Sequence, residues 1–134
     1  MISNTGLYSI ADTVRTRAKE LADDIALVFE DKGISFAQLD QASNRCANGL
    51  LDAGIKPGDR IAFLGKNSPV YFELIAAAAK IRAVVTPLNW RLAGPELSYI
   101  LNDCDAKLVF AAAEFSPLLA QIQSTLEDLS LIHI

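Results

Sequence analysis

GIKPGDRIAFLGKNSPVYFELIAAAAKIRAVVTPLNWRLAGPELSYILND, residues 54–103, decides the fold. Pro57-Gly58-Asp59 turns the chain into Arg60-Ile61-Ala62-Phe63-Leu64, a short apolar run suited to a strand buried in a parallel sheet. Ser68 then stands as a helix cap with Pro69 at the first helical position, where a missing amide hydrogen breaks no bond. The helix expected over 70–81 is apolar nearly all round and needs cover on more than one side, as in the middle of a larger α/β body. Residues 83–88 read as the next strand and 95–101 as the next helix. Strand alternating with helix predicts parallel pairing through right-handed crossovers.

Toward the N-terminus, Ser9 followed by Asp12, with Ile10, Val14, Ala18 and Leu21 at helical spacing, predicts an amphipathic helix ending near Asp23-Asp24. Two short apolar runs, 26–29 and 34–36, flank Glu30-Asp31-Lys32-Gly33 and predict a β-hairpin whose glycine takes positive φ. Ser35 with Gln38 makes a capping box for the following helix, and Ile34 is placed to staple against Leu39. That helix carries Leu39, Ala42, Cys46, Ala47, Leu50 and Leu51 on one face. It stops at Gly54, with Pro57 barring its continuation.

Toward the C-terminus, Lys107-Leu108-Val109-Phe110 predicts a further strand, followed by a helix from about Glu114. Leu129-Ser130-Leu131-Ile132-His133-Ile134 reads differently: CTG TCT CTT ATA CAC ATC, the transposon end used in DNA library preparation, encodes it. Residues 129–134 are therefore expected to be a translated sequencing-adapter tail, to be set aside like any other scar. The alternative is the end of an amphipathic helix, with Leu126, Leu129 and Ile132 or Ile134 near one face. With the tail set aside, His133, the only histidine, drops out as a base or ligand.

With 134 residues, 51% of them hydrophobic and 21% charged, the chain can bury a core of single-domain size and is not compositionally disordered. A net charge of -4, with lysines and arginines scattered, offers no field for a phosphate backbone, so no nucleic-acid partner is expected. Mean hydropathy is positive at +0.27, yet the longest apolar run, 74–79, is closed by Lys80 and falls far short of a bilayer span. Met1 to Gly6 has neither the basic start nor the apolar core of a secretory signal. Cys46 and Cys104 lie far apart with no neighbouring His or Cys, which points to free thiols in a reducing cytoplasm.

The ordered series Gly58-Asp59-Arg60, Asn67-Ser68-Pro69, Ala83-Val84-Val85, Pro87-Leu88-Asn89, Arg91-Leu92 and Glu96-Leu97 resembles the opening of an adenylate-forming (AMP-binding) enzyme. The segment Asn89-Trp90-Arg91-Leu92 resembles acyl-CoA synthetases of the fatty-acid CoA ligase type. The resemblance runs from about Ser9 to Phe110 and makes 1–128 the incomplete N-terminal portion of an AMP-dependent synthetase domain. It implies an α/β fold, a partial layered parallel sheet with flanking helices and a short N-terminal β-hairpin. It also implies a parent enzyme that joins a carboxylic acid, of fatty type, to ATP with magnesium, releases pyrophosphate and passes the acyl group to coenzyme A. The phosphate loop, the glutamate-ending motif, the ribose-binding aspartate and the lysine of the mobile domain come later in such enzymes and have no counterpart here. Catalytic, cofactor-binding and metal residues are accordingly expected to be none, and the chain alone inactive. Family members often carry glycine at the position of Arg82, so arginine there is expected to strain a positive-φ junction.

The residues read by themselves agree. Gly65-Lys66-Asn67-Ser68 follows a strand and precedes a helix, but a phosphate loop needs glycine where Arg60 stands and Ser or Thr where Asn67 stands. No G-x-G-x-x-G is present. The acidic groups Asp23-Asp24, Glu30-Asp31 and Asp103 with Asp105 fall at helix ends and turns, where they read as solvated caps. Ser35, Ser43, Ser68, Ser98, Ser116 and Ser124, like the two cysteines, have no base. Trp90, the only tryptophan, is read as a packing or subunit-contact residue where a strand leaves the sheet. Two alternatives stay open: an adenylation domain that loads a carrier protein, and a non-catalytic α/β interaction module, which would melt cooperatively as a monodisperse product.

Overall fold

The computed structural model describes residues 7–126 and the backbone of residues 130–133; the signal-peptide reading of Met1 to Gly6 lies outside them. The chain divides into two compact units, Met1–Lys56 with Ser68–Arg82, and Pro57–Asn67 with Ala83–Ile134.

The first unit begins with α1 (Ile10–Glu20). The Ser9 hydroxyl accepts from the Asp12 amide at 3.1 Å and donates to the Asp12 carboxylate at 3.0 Å, closing the first turn. Ala11 and Val14 are buried, whereas Ile10 is 53% exposed and Leu21 39%. The inward stripe is thus rotated by about one residue from the Ile10–Leu21 line, since Ala11, Val14 and Ala18 share a face at helical spacing.

A hairpin follows, β1 (Ile25–Phe29) antiparallel to β2 (Lys32–Ser35), with Phe29 opposite Lys32. The loop is therefore only Glu30 and Asp31, and both take positive φ, 47° and 63°. This corrects the assignment of that conformation to Gly33: a two-residue hairpin loop puts its left-handed twist on its two central residues. Gly33 is instead paired with Val28, where a Cβ would come within 2.8 Å of Ile25 Cδ1.

Helix α2 (Phe36–Asp52) has both ends as the sequence predicts. Ser35 and Gln38 exchange the two bonds of a capping box, at 3.2 and 2.9 Å. Ile34 packs against the cluster containing Leu39, Val14 and Ala76. At the other end Gly54, at φ 88°, donates to the Leu51 carbonyl while Ile55 donates to Leu50. These are the paired bonds of a Schellman motif, which need a residue free to adopt the left-handed region.

Helix α3 (Pro69–Ile81) starts at Ser68, whose hydroxyl makes no capping bond; its carbonyl accepts from the Tyr71 amide instead. Leu74, Ala76, Ala77 and Ala78 are buried, and the short side chains let α3 lie close against α2 and α1. Lys80 departs from the expectation that it merely ends an apolar run. Its side chain is 4% exposed, and Nζ lies 2.6 Å from Asp40 Oδ1, 2.8 Å from Ser43 Oγ, 2.8 Å from Asn44 Oδ1 and 3.2 Å from the Asp40 carbonyl. The fully buried Ser43 hydroxyl donates to that same carbonyl. One ammonium thus binds a full turn of α2 to the last turn of α3.

Arg82 ends α3 at φ 59°, ψ 29°. The strain expected of arginine at this junction is present, because a Cβ in the left-handed region crowds the following carbonyl.

The second unit is a parallel sheet in the order β4-β3-β5-β6. Strand β3 (Arg60–Leu64) pairs with β4 (Val84–Pro87) on one edge and β5 (Ala106–Ala111) on the other. Ile61 to Leu64 are all buried, in keeping with the continuous apolar run of a parallel strand. Helix α4 (Gly94–Asp103) turns Leu97 and Leu101 into the core, and α5 (Ser116–Ile122) adds Leu119 and Ile122. A 3-10 turn, Ala113–Phe115, precedes α5, so the helix expected from Glu114 begins slightly later. Gly94 lies under α5 with Ile122 Cγ2 only 2.9 Å from where a Cβ would be, which explains a glycine inside α4. Strand β6 (Ser130–His133) runs parallel to β5, from Leu108 opposite Ser130 to Ala111 opposite His133. This segment is strand rather than the helix end weighed as the alternative reading; Leu129 and Ile134 lie outside the described residues.

Two of these junctions can be tested by stability. Lys80→Met keeps the apolar stem but takes the cation from the partly exposed Asp40 carboxylate and from the buried Ser43 hydroxyl, and urea unfolding should show a loss of about 3 kcal/mol. Asp40→Asn keeps neutral acceptors around Nζ and should lose less; equal losses would show that charge is not what matters there. Arg82→Gly should raise stability by about 1 kcal/mol, with Arg82→Ala near neutral. A destabilised glycine variant would mean the arginine side chain contributes more than its backbone strain removes.

Candidate functional site

In open parallel sheets ligands meet the protein beyond the carboxyl ends of the strands, and in the second unit those ends are held together by backbone bonds. The Leu88 amide donates to the Phe63 carbonyl and the Ala112 amide to Leu64, both at 2.9 Å, carrying the ladders past the last strand residues. The chain therefore leaves β3, β4 and β5 side by side, delivering Lys66, Trp90-Arg91 and Glu114-Phe115 to one edge.

Trp90 is the centre of this edge. It is partly buried against the core, its ring 6.4 Å from that of Phe115 and tilted by 45°. Lys66 Nζ lies 5.0 Å from the indole centroid and Arg91 Cζ 4.7 Å. The packing role read from sequence holds within this unit, and the two cations are an addition that sequence inspection missed. Nothing in a linear reading joins positions 66, 90 and 114; only the shared strand ends do. Lys66 also pairs with Glu114 at 3.2 Å, both side chains about half exposed. That pair contributes roughly 0–1 kcal/mol, so it orients Lys66 more than it stabilises the fold.

The loop behind Trp90 is shaped by its own polar groups. Asn89 Oδ1 accepts from the Arg91 amide at 3.0 Å, and the Asn89 carbonyl accepts from Leu92 at 3.1 Å. Glu96 Oε2 accepts from the Ala93 amide at 2.9 Å, supplying the reciprocal half of a capping box whose N-cap is alanine. Arg91 is thereby fixed at the mouth of the loop.

Chemically, this edge can present positive charge and an aromatic face. Lys66, the one residue that suggested a phosphate loop, is engaged by Glu114 and Trp90. Asp105 pairs with Lys107 at 3.3 Å, and Glu30-Asp31 form the hairpin loop. Among the described residues no three His, Cys, Asp or Glu side chains come together as a metal cluster. The Cys46 thiol is pushed up to about 11, by burial first and by Glu73 second, so it stays protonated at neutral pH and is no nucleophile. Cys104 donates weakly to the Leu101 carbonyl at 3.6 Å. No helix among the described residues is long and apolar enough to cross a membrane.

Comparison with known proteins extends this picture. The profile of the family described as AMP-binding enzyme matches residues 14–134. The fatty acid–[acyl-carrier-protein] ligase ScoC of Streptomyces coeruleorubidus is 38% identical over 116 residues, covering 87% of this chain and 22% of the relative. The long-chain-fatty-acid–CoA ligase FadD13 of Mycobacterium tuberculosis is 42% identical over 94 residues, covering 70% of this chain and 19% of the relative. The inhibitor-bound N-terminal domain of FACL13 from Mycobacterium tuberculosis superposes with a TM-score of 0.89 at 34% identity, over 96% of this chain and 34% of that one. The chain spans about a fifth of the length of these curated relatives. With the ordered strand and helix series, the capped turns and the α/β architecture all in place, the chain belongs to the AMP-binding family of adenylate-forming enzymes.

Proposed function

We propose that residues 1–128 are the opening portion of the large domain of a cytoplasmic fatty acyl-CoA synthetase. The whole enzyme would join a fatty acid to ATP, release pyrophosphate and transfer the acyl group to coenzyme A. The family match over 14–134 carries this reading, and the relatives of fatty-acid type at 38% and 42% identity support the choice of acid. The residues present do not build the ATP and magnesium site. Lys66 is occupied by Glu114, Arg60 and Asn67 replace what a phosphate loop requires, and among the described residues no three acidic, histidine or cysteine side chains gather. This part of the protein therefore scaffolds, and catalytic, cofactor and metal residues belong to the remainder of the enzyme. A carrier-protein thiol as acceptor is the second reading, favoured by the ScoC relative's match over 87% of this chain.

ATP–pyrophosphate exchange with fatty acids tests the proposal. The 134-residue chain should give none, and the product of the reading frame continued to its natural stop should exchange and then form acyl-CoA. Exchange by the short chain, or its absence from the long product with every acid tried, would count against it. Acyl transfer to a carrier protein but not to coenzyme A would select the second reading.

We also propose that residues 129–134 are translated adapter. Long-read sequencing of the source gene across codons 120–140 should diverge from those six codons after Asp128. Genomic DNA encoding Leu129 to Ile134 would refute it.

A further inference from the structure

The first unit contains a cavity of about 430 Å³ walled by the hairpin, α2 and the first turns of α3. That volume is within the range of roughly 300–1,000 Å³ typical of small-molecule sites. Phe29 and Ile34 from the hairpin and Pro69 from the start of α3 give it an apolar wall. Lys32 and Arg45 stand on it from β2 and α2, with Glu73 of α3 as its one carboxylate. Neither cation has a hydrogen bond or an ion pair within 4 Å among the described residues, and Arg45 is the electrostatic neighbour of Glu73. The acidic loop residues Glu30 and Asp31 do not line the cavity. Two cations against one carboxylate leave net positive charge beside an apolar surface. A neutral lipid would leave the cations unused, and a bare inorganic anion would leave the wall unused.

We propose that this cavity binds a single-chain amphiphile with an anionic head, Lys32 and Arg45 receiving the carboxylate or phosphate and Phe29, Ile34 and Pro69 covering the alkyl chain. The cavity lies wholly within the first unit, so the site stands or falls separately from the ligase activity. Charge-assisted bonds from lysine and arginine fix the head, and the burial of methylene groups sets the preference for chain length.

Isothermal titration calorimetry of the 134-residue chain with decyl phosphate and with decanoate, each below its micelle concentration, tests the site. Both should bind in the micromolar range. Inorganic phosphate and decanol, each lacking half of the required chemistry, should bind at least about tenfold more weakly. Lys32→Gln with Arg45→Gln should weaken decyl phosphate binding by about tenfold or more, while Lys32→Arg with Arg45→Lys keeps it. Amide chemical shifts on titration should move at Gly33, Ala42 and Glu73 in the unaltered chain, a readout that needs no variant. The proposal is overturned by no binding at millimolar decyl phosphate, by undiminished affinity in the glutamine pair, or by inorganic phosphate binding as tightly as decyl phosphate. An acidic apolar peptide occupying the cavity while both amphiphiles fail to bind would overturn it equally.

Discussion

Strand β3 has hydrogen-bonded neighbours on both edges, and the second unit is arranged around that fact. A strand paired on both edges and buried along its length has no tolerance for a polar side chain, and Ile61 to Leu64 are apolar and buried. The parallel ladders also align the strand exits, because the Leu88 and Ala112 amides continue the pairing to the carbonyls of Phe63 and Leu64. Lys66, Trp90 and Glu114 meet only because three strands end in step. A register slip of one residue in β4 would turn its side chains to the opposite face and separate Trp90 from Lys66.

The first unit depends on a different device. Its helix pair is cemented by alanines, which permit closeness but specify position poorly, since neighbouring small side chains present similar surfaces. Lys80 supplies the missing discrimination. Its ammonium finds oxygen only where Asp40, Ser43 and Asn44 converge on one turn of α2, so sliding α3 by a residue would bury an unpaired charge. Removing a charge from water is expensive, and a well-packed apolar pair could match the lysine for stability. What the lysine adds is a single allowed alignment of α3 on α2.

Much of this arrangement is legible in the sequence because its cues are local. Ser35 with Gln38, Gly54 with Pro57, and Pro69 behind Ser68 are decided within a few residues, and each helix end falls where they point. The left-handed conformation of Arg82 is expected from the resemblance instead, since family members often carry glycine at that position. Errors arise where a local rule has two solutions. Positive φ in the hairpin goes to Glu30 and Asp31 because pairing Phe29 with Lys32 shortens the loop below the reach of Gly33. The Ser68 hydroxyl leaves its cap unmade although its backbone serves as N-cap. The bonds of Lys80 and the meeting of Lys66 with Trp90 and Glu114 are illegible because the partners lie 36–40 and 24 residues or more apart. A lysine closing an apolar run looks the same in sequence whether it points to solvent or into a helix pair.

The Trp90 edge shows how weak contacts arrange charged groups beside an aromatic ring. Each cation on the indole contributes about 0.5–1 kcal/mol at an exposed site, and the Lys66–Glu114 pair no more. Such energies are too small to hold the fold, which the buried cluster around Leu97, Val109 and Leu119 already secures. Lysine and arginine each forfeit up to about 2 kcal/mol of rotamer freedom when held, so these contacts bias the rotamers of two long side chains without locking them. A nucleophile and its base would instead require a desolvated pair with matched protonation. The half-exposed Lys66 and Glu114 pair and the protonated Cys46 do not provide one. Among the described residues this sheet edge thus carries charge set against an aromatic face and no desolvated nucleophile–base pair.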